Sequence, residues 1–317
     1  MNLLVTNIWA IICFASVLEI IRCWRTCEMS LGGIMKIGVI PVNIGVQSAD
    51  QMVQMAQLVE SLGYESVWTF EHVVIPIDYE SKYPYNKSGN MGAAPETNFV
   101  DPLIALSAVA ASTKKIRLAT GVNILSQVNP IYMAKQAASL DFISNGRFML
   151  GVGIGWLREE FEALGVPFEH RGARFDDYVA GMRKIWSGEV VEHESEFISW
   201  KNFKSYPLPI QNPFPVVMGG VKGKIFKRTA QLGNGWFAPT GDPSELKEHM
   251  TNLREECDAI GRDLSEIEIT CMWPGTGGEA FLGELEAVGV GRVVIPMMGQ
   301  GDPVERLTTI AEEVIKP

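Results

Sequence analysis

Cysteine and basic charge are both scarce in this sequence. Of the 5 cysteines, Cys13, Cys23 and Cys27 fall in the first 34 residues, which leaves Cys257 and Cys271 for the rest of the chain. That is no disulfide framework; it suits a reducing compartment, and a cytoplasmic location is the expectation. Cys23 and Cys27 lack a second pair or histidines at zinc-finger spacing, which argues against a structural zinc site. Lys and Arg number 27 against 37 Asp and Glu, a formal charge of −10 that repels phosphate backbones and argues against a nucleic-acid partner. Histidine occurs only at positions 72, 170, 193 and 249, with neither an HxH nor an HExxH motif. No predicted strand ends in a lysine placed for Schiff-base chemistry. Metal-hydrolase and aldolase readings therefore fall back, and no metal is expected. The target left is a small molecule.

The first 34 residues stand apart. From Leu3 to Ile21 the chain is a nearly continuous apolar run, interrupted by Asn7 and Glu19 and preceded by no basic segment, so a signal peptide fits poorly. Were the run to insert in a membrane, Arg22 and Arg25 would hold the following domain in the cytoplasm. The sequence MKIGVIPV (Met35 to Val42) reads as the beginning of a domain's first strand. Residues 1–34 are therefore expected to be an upstream extension or a mis-assigned start, and residues 35–317 a single domain.

Within 35–317 one unit recurs: an amphipathic helix, a Gly or Asn turn, then a short β-branched run suited to a buried parallel strand. Strands are predicted over 36–42, 65–71, 116–122, 147–154, 215–219, 235–238, 266–272 and 292–296. Met52, Met55, Ala56, Val59 and Leu62 share the helical spacing of the first helix, and Val304, Leu307, Ala311 and Val314 that of the last. Strands alternating with helices in this number imply an α/β fold, a closed (β/α)8 TIM barrel. Two connections are too long to be simple loops. Residues 72–98, after the second strand, are rich in Pro, Gly and Tyr and lie where barrel enzymes bind substrates, so they read as a lid. Residues 188–212, before the fifth strand, alternate polar and aromatic residues and predict a small hairpin, which serves equally well as a structural cap.

Chemistry-bearing residues collect at the ends of predicted strands. The segment WTFEHVV puts Glu71 and His72 at the C-terminal rim, where a carboxylate beside an imidazole offers hydrogen bonds and proton transfer near neutral pH; a histidine that merely caps the strand is the plainer reading. The third strand ends in TGVNILSQVNP, whose internal glycine signals a bulge or a close backbone approach, and Asn129 with Pro130 opens the next helix. In GVGIGW, Gly151, Gly153 and Gly155 alternate and strip one face of side chains, which either makes room for a planar ligand or relieves crowding inside a barrel. Its GxGxG spacing is not the dinucleotide fingerprint. The fifth strand ends in VVMGGVKGKIFKR, with glycines followed by Lys222, Lys224, Lys227 and Arg228 at a helix start, suited to phosphate or simply an exposed basic face.

Taken together, GVIPVNIG, SVWTFEHVV, the stretch from Ala119 to Gly165, HRGARFDDYV and PVVMGG with AQLGNGWFAP resemble the luciferase-like monooxygenase superfamily, and most of all its coenzyme F420-dependent (deazaflavin) oxidoreductases of actinobacterial type. The resemblance implies a (β/α)8 barrel holding a cofactor ring at its C-terminal end. It assigns Glu71 and His72 as the catalytic pair, although the family usually has Asp at the first of these. Thr120, Gly121, Val122 and Asn123 match a bulge behind the ring, with a non-prolyl cis peptide near Gly121 and Val122. Ile154, Gly155, Trp156 and Glu160 match the loop after strand four that contacts the cofactor tail or active site; some relatives carry a glutamate at the Trp156 position. Gly219, Gly220 and Lys222 match the phosphate end, where VKGKIFKR replaces a small-residue helix start.

The activity this implies is hydride transfer between F420 and an unidentified small organic substrate, with His72 exchanging the accompanying proton. The nearest alternative is an FMN-dependent monooxygenase that takes reduced flavin from a separate reductase and uses O2. A catalytically silent flavin-binding barrel is the third reading. The resemblance also implies a homodimer.

Overall fold

The computed structural model describes residues 35–299 and 301–315. The expectation for residues 1–34 lies outside the described residues. Helices and strands form where local chemistry starts and stops them. The first helix, α1 (Ala49–Leu62), begins where the Ser48 side chain accepts from the Gln51 amide and ends at Gly63, whose φ of 93° needs a residue without a Cβ. Helix α3 (Pro130–Ser144) begins where Asn129 accepts from the amides of Ile131 and Tyr132. Between them, α2 (Pro102–Ser112) is capped by Asp101.

The strands β1 (Lys36–Ile40), β2 (Ser66–Thr69), β3 (Arg117–Thr120), β5 (Phe148–Gly153), β8 (Val216–Gly219), β9 (Gly235–Ala238), β10 (Glu268–Met272) and β11 (Arg292–Pro296) pair in that order, all in parallel. The pairing of β11 back onto β1, with Lys36 opposite Arg292, closes them into a (β/α)8 barrel. Each predicted strand run contains one of these strands. The third is shorter than expected, because the chain stops pairing at Thr120, turns through a cis peptide between Gly121 and Val122, and resumes as β4 (Asn123–Ile124) alongside β5. In the second long connection, β6 (Val191–Glu194) and β7 (Ser199–Phe203) form an antiparallel hairpin. No helix among the described residues is long and apolar enough to cross a membrane.

Alternation along the strands sends every second side chain into the barrel. Ile40, Trp68, Ala119, Met149, Val217, Phe237 and Val294 form a dry layer across its middle. Below this layer, at the N-terminal ends of the strands, the interior is charged. Arg292 is fully buried; its Nε and one terminal nitrogen donate to the two oxygens of Glu65 at 2.8 Å each, and its other terminal nitrogen donates to Glu268 at 2.6 Å. Lys36 also pairs with Glu268. Burial works against the charge on Glu65 and Glu268, but the Arg292 guanidinium outweighs it and both carboxyls are held below their usual range. The bottom of the barrel is thus a charge-compensated plug.

Candidate active site

The C-terminal rim is organised by side chains that fix loop backbones. Asn43, fully buried just after β1, donates to the carbonyls of Phe70 (2.9 Å) and Val100 (2.7 Å) and accepts from the Phe70 amide (3.1 Å). It thereby sets the direction in which the chain leaves β2, and with it the positions of Glu71 and His72.

Glu71 points into the protein and is 8% exposed. One carboxyl oxygen accepts from Asn123 Nδ2 at 2.7 Å and the other from the Ile124 amide. No cation faces it. Burial pushes its carboxyl up to about 8; the Ile124 amide opposes the rise, and the neighbouring charges of Glu160 and Asp101 add to it. At neutral pH Glu71 is therefore largely a neutral acid. Asn123 spends its amide group on Glu71, and its own Oδ1 is buried with no partner.

His72 is held by Glu160, whose Oε2 lies 2.9 Å from Nδ1. Glu160 Oε1 accepts from the Val73 amide at 2.6 Å and, more weakly, from that of Val74 at 3.4 Å. Glu160 is almost fully buried and belongs to α4 (Arg158–Ala163), not to the preceding loop as expected. The His72 ring meets Phe99 and Trp156 edge-on, with centroids 5.9 and 6.0 Å away. Trp156 is in turn met by Tyr79 at 5.9 Å and Tyr83 at 5.2 Å.

These tyrosines come from residues 72–98, which fold back over the rim. The amides of Glu80 and Ser81 donate to Glu159, the Ser81 hydroxyl accepts from the Arg158 amide, and the Met91 amide donates to the Tyr79 hydroxyl. Glu159 and Glu160, adjacent on α4, thus anchor two parts of the same segment.

The glycine face of β5 has its explanation here. A Cβ at Gly151 would lie 1.8 Å from the Thr120 carbonyl oxygen, and one at Gly153 would lie 2.7 Å from a Val122 methyl. A Cβ at Gly219 would meet Val122 at 2.5 Å, and one at Gly155 would meet Phe161 and Ile124. The space that these glycines clear is filled by the chain's own β3–β4 bulge and, at Gly155, also by Phe161, so of the two readings the stripped face relieves crowding and is not direct ligand room. Thr120 adds a hydrogen bond from Oγ1 to the Gly151 carbonyl at 2.7 Å. Ile154 and Gly155 offer their carbonyls to Ser126 Oγ (2.7 Å) and Arg171 Nε (3.1 Å).

Gly220, at φ 119°, follows the end of β8, and the Tyr85 hydroxyl lies 3.1 Å from where its Cβ would be. Lys222, Lys224 and Lys227 are exposed around the start of α6 (Ile225–Leu232). Arg228 is not: it turns inward onto Asp176 of α5 (Arg171–Ile185), so it is removed from the basic cluster expected there. The structure therefore gathers Glu71, His72, Asn123, Trp156 and Glu160 into one contact network, sets Thr120 to Val122 as its floor, and leaves Lys222 in solvent.

Sequence reasoning passed over Asn43, Glu159 and the tyrosine cage around Trp156. Asn43 lay inside the GVIPVNIG motif, and its place as the first polar residue after the predicted first strand was the available signal. For Glu159 there was none, because its partners are set by how the lid folds.

An imidazole beside a charged carboxylate, a neutral buried acid, an orphan acceptor and an aromatic wall form a water-poor site for proton movement. The sequence profile of the luciferase-like monooxygenase family matches residues 32–274, and the chain belongs to that family. It is 32% identical over 209 residues to an uncharacterized protein of Mycobacterium tuberculosis, a match covering 66% of this chain and 74% of that one. It is 27% identical over 225 residues to an F420-dependent glucose-6-phosphate dehydrogenase of Amycolatopsis mediterranei, covering 69% of this chain and 62% of the relative. Among solved structures, the oxygenating constituent of the 3,6-diketocamphane monooxygenase of Pseudomonas putida, in complex with FMN, shares the fold with a TM-score of 0.69 at 16% identity, over 89% of this chain and 98% of that one.

Proposed function

We propose that this protein is an oxidoreductase that binds coenzyme F420 at the C-terminal rim and supports hydride transfer to or from a small organic substrate under the lid. The observation that carries the reading is the pairing of a protonatable site with a basic exit: His72 and Glu71 at the rim, and exposed Lys222, Lys224 and Lys227 beyond the Gly219–Gly220 turn in a chain of net charge −10. Named relatedness to an F420-dependent dehydrogenase supports it.

The residues present fit such a cofactor. Asn123 Oδ1 is a buried acceptor in want of a donor, as a ring N–H would be. Val122, projecting from the bulge and packed against Gly219, would back the ring, and Gly220 leads the chain on to the lysines. Lys222 and Lys224 suit the deazaflavin's tail, whose carboxylates add to the charge of its phosphate. When bound, F420 supplies the hydride chemistry, and the protein supplies orientation and water exclusion. Among the chain's own groups, Trp156, Tyr79 and Tyr83 shield the rim, and His72 carries the proton that accompanies the hydride. Glu71 keeps its own proton at neutral pH and so would add no full negative charge to the site.

Fluorescence titration of the protein with F420 and, separately, with FMN tests the proposal. Saturable binding of F420 in preference to FMN is expected. Preference for FMN would move the chain to an FMN-dependent monooxygenase using reduced flavin and O2, a reading that the family's description supports. Binding of neither would defeat the site assignment. The double variant K222E/K224E sharpens the test: F420 affinity should fall roughly tenfold, about 1.4 kcal/mol, with the thermal midpoint unchanged.

A further inference from the structure

We infer that Glu160 is a positioning residue that holds neutral His72 with its proton on Nδ1, so that Nε2 is the nitrogen left to take and release a proton; the catalytic meaning of this rests on the role proposed for His72 above. A neutral imidazole has one N–H and one bare nitrogen, and which is which is set by what each nitrogen faces. Nδ1 faces Glu160 Oε2 at 2.9 Å. The other oxygen of Glu160 is occupied by the backbone amides of Val73 and Val74, which can only donate. A carboxylate approached by donors on one oxygen is an acceptor on the other, and Nδ1–H is the group that satisfies it. Among the described residues, Glu160 is the hydrogen-bond partner of the ring, and Phe99 and Trp156 meet it edge-on without a hydrogen bond to Nδ1. The acidic side chains close by are Glu71, which burial keeps neutral, and Asp101, which caps α2 through the amides of Leu103 and Ile104.

The same carboxylate therefore serves two elements. Val73 and Val74 are the first residues of the lid after His72, so the lid's root and the imidazole's proton share one acceptor. A shift of that root would disturb the orientation of His72 directly, without passing through the lid's tyrosines.

Substitution by glutamine separates acceptor from donor. In Glu160→Gln the side-chain oxygen can still accept from the Val73 amide, but the group then turned to Nδ1 is an NH2, which forces Nδ1 to accept and moves the ring proton to Nε2. The experiment is nitrogen-15 NMR of the histidine rings in the full chain, without cofactor, at a pH where the ring is neutral. The His72 signals are identified by their loss in His72→Asn. In the wild type, Nδ1 should appear protonated and Nε2 bare; in Glu160→Gln the two should exchange. A wild-type ring protonated on Nε2, or a folded Glu160→Gln protein with an unchanged tautomer, would overturn the inference. If Glu160→Gln does not fold, the wild-type spectrum decides alone. Because no cofactor is used, a failed F420 titration would defeat the proposed function and leave this result standing, whereas the wrong tautomer would defeat this inference with cofactor binding intact.

Discussion

Glu65 and Glu71 flank the same four-residue strand, β2, and both are drawn into the protein, yet their carboxyls are driven in opposite directions. At the bottom of the barrel Glu65 meets Arg292 through two hydrogen bonds, and its carboxyl lies below the usual range. At the top Glu71 meets only neutral donors, and its carboxyl rises to about 8. Burial raises both; the presence of a cation decides the sign. One end is thereby a stabilising plug, and the other retains an uncompensated acid where chemistry takes place.

The strongest way to break the comparison is to remove the cation. Arg292→Met should leave the half-buried Glu65 and Glu268 without their guanidinium and cost about 3 kcal/mol in chemical denaturation, the lower end expected for breaking a buried pair. A loss below about 1 kcal/mol would mean that Lys36 and solvent compensate and that the plug is not what holds Glu65 charged.

Glu71→Gln should do the reverse at the other end. The native carboxyl binds its proton more tightly folded than unfolded, so the folded state is penalised as pH rises from the ordinary value of 4.5 through about 8. Over that window wild-type stability should fall relative to the glutamine variant by on the order of 1.4 kcal/mol per pH unit at most, and then level off. Near pH 4.5 the two should be alike, because glutamine mimics the protonated acid, with Asn123 turning its amide to match. Parallel stability curves from pH 4.5 to 9 would show that Glu71 is not perturbed.

A smaller effect tests the floor between the two ends. Gly153→Ala places a methyl 2.7 Å from Val122 and should cost roughly 1–3 kcal/mol. Trimming the partner in Gly153→Ala with Val122→Ala should recover part of that loss. No recovery would show that the backbone, and not Val122, requires glycine there.

Much of this was legible in the sequence because it is local. Helical spacing, caps such as Asn129 and short β-branched runs located the strands of the barrel and set Glu71 and His72 on its rim. What was not legible depends on closure. Arg292 and Glu65 are 227 residues apart, and His72 and Glu160 are 88 apart; nothing in either neighbourhood marks the partner. The glycines of β5 were visible as a stripped face, but what fills the face is a residue from another strand. Arg228 sat in a basic run and was read with it, although Asp176 on the neighbouring helix draws it away.

That shared packing has a consequence for how such a protein can change over generations. Val122 occupies the volume left by Gly153 on one strand and Gly219 on another, and the Thr120 carbonyl occupies that left by Gly151. None of these positions accepts a larger residue unless a neighbour shifts, so each single step through them carries a cost that a coordinated exchange reduces. The lid over residues 72–98 carries no such mutual constraint on its exposed side chains. Drift in substrate preference therefore has its open road there, above a floor whose parts must be inherited together.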